Sequence, residues 1–507
     1  MKSNNILNIY FSILLFIMTL NNYFEQVNSY LIFPLEYLPD KNYRFSKDNK
    51  IKPEEIIQQI YYKNLITKFE IGSPLQKINL LFVTNSDKFY LSNFNISQKE
   101  DKYYQFIESD FYNESLSSTN IDTTCEKYNY YPYNIVCQSK DIINFKLNNT
   151  NTKKEFQFKL QKNNGEYVPG YIGLLFNDSY YEYTKGFITE LKAAKLIDNY
   201  YWFFDINEFS PLEKKLKGKF VIGGLPHELF PKKYSLYDFE STSSYESKII
   251  IGRAWRLNVN KIYIDKEQDK NINYLNKVIT FQYEIYHIIS NFEFLFDIES
   301  LLMDDLIKEG KCFSSSFSQH LYNNNNLSFF YCNKTAKETL YEKLPNLKFS
   351  CVELDYVFEL TAEELFYEKG DYIYFNILFN KYESNTPWIM GQIFTSKYNF
   401  VFNSDYRQIG FYKKVNKDID IDNISKTKIS MVLVILFVLI SAGLVFTIFG
   451  LLLGKKIFER RKIRVNELAD EADYDYKSKE ENFESENNIE NQNDSYNQKN
   501  VIGINNN

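Results

Sequence analysis

Hydrophobic and polar positions divide the chain into a long middle of short strand-like runs and two flanks of different character. In the middle, TKFEIGSP (67–74), KINLLFVTN (77–85), DIINFKL (141–147), GKFVIGG (218–224), LNVNKIYI (257–264), LKFSCVEL (347–354) and YNFVFNS (398–404) are separated by turn-forming residues. Alternation with period two puts Leu347, Phe349 and Cys351 on one face of a strand. Helical spacing occurs in FITELKAAKLI (187–197) and FLFDIESLLMDDLIKE (294–309). The pattern predicts an all-β domain with minor helices.

The flanks are read from longer apolar runs. Residues 1–29 carry Lys2, an apolar stretch from Ile9 to Leu20 and a small-residue cleavage point near Ser29, the layout of a secretory signal peptide. The uncharged run Ile429–Gly454 exceeds the roughly 20 residues that a helix needs to cross a bilayer, and Lys455, Lys456, Arg460, Arg461, Lys462 and Arg464 follow it. The positive-inside bias makes this a type I single-pass membrane protein: residues 30–428 lumenal or extracellular, a transmembrane helix at 429–454, and a tail at 455–507 on the cytosolic side. From Asn466 onward the tail is rich in Asn, Glu and Asp and is expected to be disordered.

Charge and rare residues narrow the chemistry. The net charge of −6 comes with no basic patch outside the membrane flank, so no nucleic-acid partner is expected. Three histidines (His227, His287, His320) and five cysteines without zinc spacing imply no metal and no cofactor. No G-x-S-x-G elbow supports a serine nucleophile. The cysteines Cys125, Cys137, Cys312, Cys332 and Cys351 all fall in the lumenal part, where disulfides persist. Sequons at Asn95, Asn113, Asn148, Asn177, Asn326, Asn333 and Asn423 are glycan candidates.

Ordered short motifs carry a resemblance. Ile71-Gly72-Ser73-Pro74-Leu75-Gln76 is similar to an IGTPPQ turn, Phe111 with Asn113–Thr119 to an F-x-P-x-x-SST loop, and Asp141–Phe145 to a D-T-V-x-F strand. Gly170–Leu174 is similar to G-I-L-G-L and Phe220–Gly224 to F-x-I-G-G. In the second half, Trp255-Arg256-Leu257 with Ile262, Leu344–Phe349, and Trp388–Gly391 with Phe394, Tyr398, Val401-Phe402 and Ile409–Phe411 continue the series. Together they resemble the pepsin-like aspartic peptidase family. The resemblance implies a bilobal β-fold, with lobes at 61–235 and 236–415, a lead-in or propeptide-like segment at 30–60 and a juxtamembrane linker at 416–428. It also implies a peptide-binding cleft between the lobes under a hairpin flap.

The family's mechanism needs two carboxylates sharing one proton. In NLLFVTNSDKFYL (79–91) Val83 stands where the first aspartate is expected, and in KVITFQYEI (277–285) Gln282 stands where the second is. Neither side chain can act as a base. Tyr283 then takes a threonine's place, and Asn85 and Glu284 take glycines' places. Displaced carboxylates that could substitute are Asp87 and Glu284. The flap falls in YNYYPYN, with Asn129 between Tyr128 and Tyr130. A disulfide across that hairpin, Cys125–Cys137, and a second, Cys312–Cys332, follow from the alignment. They leave Cys351 as a buried thiol, with pairing of Cys351 to either neighbour the alternative. A basic helix of the kind that plugs the cleft in zymogens is not evident before Tyr61.

Three functions stay open. One is a catalytically inactive module binding a peptide or protein in the cleft; another is an aspartic endopeptidase using Asp87 and Glu284. The third is a structural or adhesive surface glycoprotein.

Overall fold

The computed structural model describes residues 29–37, 52–61, 63–93, 110–128, 134–147, 150–162, 168–176, 186–210, 215–245, 253–264, 273–318, 326–381, 386–419, 421, 443, 446–447 and 450–473. Residues up to Ile421 form one compact unit and those from Asp422 a second. Residues 450–473 are helical. Most of the expected membrane span lies outside the described residues, among which no helix is long and apolar enough to cross a membrane.

The first half of the large unit builds strands β1 (Leu31–Pro34), β2 (Leu65–Ile71), β3 (Gln76–Val83), β4 (Phe89–Ser92), β5 (Ile121–Tyr128), β6 (Asn134–Leu147), β7 (Thr150–Gln161), β8 (Gly170–Gly173), β9 (Tyr201–Ser210), β10 (Lys215–Ile222) and β11 (Phe239–Ser243). Helix α1 (Pro53–Tyr61) precedes β2, and α2 (Phe187–Ala193) lies where the 187–197 pattern predicts a helix. Alternate residues explain the sheet: Phe69, Ile71, Ile78, Leu80 and Phe82 all point into one core. The turn from β2 to β3 requires Gly72, at φ +90°, because a Cβ there would come within 2.9 Å of Ser117 Oγ. Ser117 Oγ accepts from the Ser73 N–H at 3.1 Å, so the IGSP turn and the SLSST loop are docked on each other.

The second half contributes β12 (Arg256–Tyr263), β13 (Asn273–Phe281), β14 (Ile288–Ser290), β15 (Cys312–Ser318), β16 (Asn326–Asn333), β17 (Asn346–Cys351), β18 (Tyr356–Thr361), β19 (Phe366–Lys369), β20 (Tyr372–Phe375), β21 (Ile377–Asn380), β22 (Trp388–Met390), β23 (Phe400–Asn403) and β24 (Gln408–Tyr412). The expected helix at 294–309 is three segments. Asn291 caps the first, Phe292–Ile298; a π turn at Glu299–Met303 follows, then Asp304–Lys308.

Two sheets result. One runs β11-β24-β23-β9-β10-β1-β6-β7-β4-β8-β3-β2, so the last two strands of the domain close onto the first lobe. The other runs β18-β17-β12-β13-β22-β14-β21-β16-β20-β19. β1 is internal, paired with β10 through Leu31–Pro34 and with Leu147 of β6, so the lead-in segment begins as an integral strand.

All three tryptophans are buried; Trp388 packs on Phe294 and Phe349 inside the second lobe, while Trp202 and Trp255 meet at the join. Trp202 stacks on Phe402 at 4.3 Å between ring centres, and Trp255 meets the same ring at 5.0 Å. The disulfides are Cys125–Cys137 and Cys312–Cys332, each joining directly opposed residues of a hairpin. Cys351 is the buried free thiol. Its Sγ lies 3.4 Å from the Asn258 carbonyl, and burial raises its pKa.

Candidate functional site

β3 runs parallel to β8 with Val83 opposite Gly173, and β13 runs parallel to β22 with Phe281 opposite Met390. In each lobe the following strand then returns antiparallel on the other side of the threaded one, β4 on β8 and β14 on β22. Val83 and Gln282 therefore stand at matching stations, where a strand ends and its loop begins. Backbone bonds hold both: Leu174 N–H donates to Val83 O at 2.8 Å, and Gln282 N–H to Met390 O at 3.0 Å. The backbones crowd at this point. A Cβ on Gly391 would sit 2.2 Å from His287 O, so only glycine fits.

The two loops touch through Thr84 and Glu284. Thr84 Oγ1 lies 3.1 Å from the carbonyl of Phe281, the residue before Gln282. Thr84 N–H donates to Glu284 Oε1 at 2.7 Å, and Oγ1 is 2.7 Å from Glu284 Oε2. Both residues are buried. Burial raises the Glu284 pKa, opposed by hydrogen bonds from the Thr84 side chain and from backbone N–H groups. Thr84 Oγ1 has two acceptors within reach, Glu284 Oε2 and Phe281 O, and a protonated Glu284 would let both bonds form at once. Thr84 has one hydroxyl proton; if it goes to Phe281 O, a protonated Glu284 Oε2 supplies the bond to Thr84 Oγ1. The chain Glu284 O–H to Thr84 O–H to Phe281 O then closes.

Asp87 has other partners. Its carboxylate is buried against Lys88 at 3.1 Å and Arg253 at 3.7 Å, and its carbonyl accepts from Phe187 at the start of α2. The two displaced acids are thus committed to separate networks. Tyr283 points down into the core, 4.4 Å from Phe204, and also contacts Trp202 and Phe402. Val83 and Gln282 are half-buried and Asn85 is exposed. Among the described residues, the group placed to share a metal is Asp122, Cys125 and Cys137, and the disulfide uses both of its sulfurs.

α1 is the feature that sequence reading missed. Pro53 opens it, with Glu54 and Glu55 in its first turn, a favourable start for a helix. Ile56, Ile57, Ile60 and Tyr61 form its buried face. They join a cluster drawn from both lobes: Ile66, Leu81 and Val168 on one side, and Ile285, Tyr286, Ile289, Phe317 and Phe329 on the other. Tyr61 stacks over His287 at 6.2 Å and meets Phe317 at 5.6 Å. The Ser315 hydroxyl donates to Glu54, and Gln392 Nε2 donates to the carbonyls of Lys63 and Tyr283. The helix therefore fills the space beside the two loops. An acidic first turn and an i, i+1, i+4, i+5 apolar face are the signal; a search for basic residues passes over it.

Under α1, His287 is fully buried with no hydrogen-bond partner at either ring nitrogen, and its pKa is lowered to about 3 by burial. At the flap, β5 ends at Tyr128 opposite Asn134, while Asn129 and Tyr130 lie outside the described residues. Of the sequons, Asn113, Asn326 and Asn333 are half-buried; Asn95, Asn148, Asn177 and Asn423 lie outside the described residues.

The family model of eukaryotic aspartyl proteases matches residues 64–414, well over half of the chain, and takes in both strand–loop stations. The chain belongs to this family. No curated protein matches it. In this aspartyl protease family member, residues 64–414 take in most of the two-lobed β unit, while β1 and α1 lie before the matched region.

Proposed function

We propose that this family member is catalytically inactive and serves as a non-cleaving peptide- or protein-binding module. It would be displayed on the lumenal or extracellular side by a single C-terminal membrane span. The observation that carries the reading is the pairing of Glu284 with Thr84 between Val83 and Gln282. One carboxyl, turned onto a threonine and backbone N–H groups, stands where acid–base chemistry needs two carboxyls facing each other. Losing one positioned acid or base costs about 10²–10⁴ in rate, and here neither family position can supply one. The endopeptidase alternative needs Asp87 and Glu284 together, whereas Asp87 is paired with Lys88 and Arg253 and Glu284 with Thr84.

Binding is supported by α1. The space between the lobes accepts an amphipathic helix by its apolar face, and a partner segment of similar pattern would compete for it. The test has two arms. Peptide-library cleavage is measured for the natural protein, for Val83→Asp/Gln282→Asp, and for that pair combined with Glu284→Gly. The expected result is no cleavage by the first; cleavage by the natural protein refutes inactivity. In the second arm, Ile57→Glu loosens α1, and a labelled peptide of residues 52–63 is titrated in. Saturable binding supports the module reading. Failure to bind favours the rival, a surface glycoprotein that uses the fold as a spacer, which the filled cleft and the sequons Asn113, Asn326 and Asn333 also suit.

A further inference from the structure

Away from the two loops, the first lobe buries a primary amine against a carboxamide and an acid. Lys233 and Asp205 side chains are each only 1 % exposed, and lysine is almost never that buried unless paired. Lys233 Nζ lies 2.7 Å from Asp205 Oδ1, 2.9 Å from Asp205 Oδ2 and 2.6 Å from Asn207 Oδ1. The Tyr234 hydroxyl donates to Asp205 Oδ1. Aromatic rings wall the site: Tyr234 packs on Phe203 at 5.9 Å and on Tyr412 at 4.9 Å. β9 is irregular here, its pairing with β10 shifting between Ile206 and Glu208, so Asn207 is the extra, unpaired residue. Bulges of this kind re-aim side chains and recur beside reactive sites.

We propose that Lys233 and Asn207 form an intramolecular isopeptide bond, with Asp205 as the proton relay. The step begins with proton transfer from the Lys233 ammonium to the Asp205 carboxylate, which frees the amine lone pair and leaves a neutral acid. A hydrogen bond to Oδ1 at 2.6 Å puts the carboxamide carbon about 3.4 Å from the amine, for a C=O bond of about 1.23 Å approached along a lone pair. That separation is within the roughly 3–3.5 Å from which attack starts, once the carboxamide turns its face to the amine. The Nζ lone pair forms the new C–N bond at Asn207 Cγ while Asp205 returns its proton to the departing nitrogen. The old C–N bond breaks and ammonia leaves through the half-buried outer side of Asn207, taking up the second amine proton as ammonium. Atoms and charge balance with no oxidant or co-reactant, and Asp205 ends as it began. The bond would tie β9 to the segment that leads into the second lobe, next to Asn416, whose N–H donates to Lys233 O.

The test is mass spectrometry of the full-length natural protein, reduced, deglycosylated and digested with trypsin. The expected product is one branched peptide containing Asn207 and an uncleaved Lys233, lighter by one ammonia than the sum of its parts. Asn207→Ala, which leaves the Lys233–Asp205 pair in place, should abolish the branch. Linear peptides with cleavage after Lys233 and an intact Asn207, or with Asn207 merely deamidated, overturn the proposal. So does a branch at Asp205 formed with loss of water.

Discussion

Replacing Glu284 separates a neutral acid from a buried carboxylate. Glu284→Ala leaves the Thr84 N–H without its 2.7 Å acceptor and opens a void between the loops. An unsatisfied buried donor costs about 1–3 kcal/mol, and a cavity the size of the lost side chain adds about 1–2 kcal/mol. The expected loss is about 2–5 kcal/mol. Glu284→Gln keeps an oxygen for Thr84 N–H and presents an N–H₂ that can donate to Thr84 Oγ1, as a protonated acid does, so it should cost under about 1 kcal/mol.

The pH dependence is sharper still. The folded pKa of Glu284 is raised above its ordinary 4.5, so above about that pH the unfolded chain releases a proton that the folded chain keeps. The stability that the natural residue contributes is full below pH 4.5 and is lost as pH rises through the raised folded value. The limiting slope is about 1.4 kcal/mol per pH unit. Denaturant midpoints of the natural protein and Glu284→Gln, measured in parallel from acid to neutral pH, give the difference directly, with other titrations cancelling. The natural protein's advantage should shrink with rising pH. An advantage that grows with pH, or a glutamine variant as unstable as the alanine one, refutes the neutral-acid network.

Other outcomes follow from the same packing. His287→Leu should remove an acid-side instability. The folded pKa is held to about 3 against an ordinary 6.5, so stability falls as pH drops below about 6.5 in the natural protein and should stay flatter in the variant, read by thermal melts across that range. Ile57→Ala, at a fully buried position of α1, should cost about 2–4 kcal/mol. Limited proteolysis should then cut first near residues 52–63; unchanged resistance would mean that α1 is not held by this face. Reduction of Cys125–Cys137 should loosen the hairpin while the core melts nearly as before, which hydrogen exchange resolves strand by strand.

Much of the domain was legible because its signals are local. Period-two runs mark strands, and turn residues such as Gly72 mark where Cβ atoms are excluded. Cysteines on opposite arms of the flap hairpin point to Cys125–Cys137, whereas Cys312–Cys332 is only the preferred pairing until the structure opposes the two across a second hairpin and leaves Cys351 free. The order of short motifs carried the family before any contact was known, and it located Val83 and Gln282 as the stations to inspect. The chain alone also showed that neither side chain there can titrate usefully.

What Glu284 does was settled only in three dimensions. Its partner Thr84 is two hundred residues away, and sequence spacing cannot report a contact that depends on two strand–loop units meeting. Asp87 reads as an equal candidate until the fold gives it Lys88 and Arg253. α1 is too short to stand alone in water; its place comes from apolar surface that two lobes create between them, and Ile56, Ile57, Ile60 and Tyr61 gain a meaning there that their spacing only hints at. Local covalent preference and hydrophobic alternation determined the strands; desolvation of groups brought together across the chain decided the chemistry.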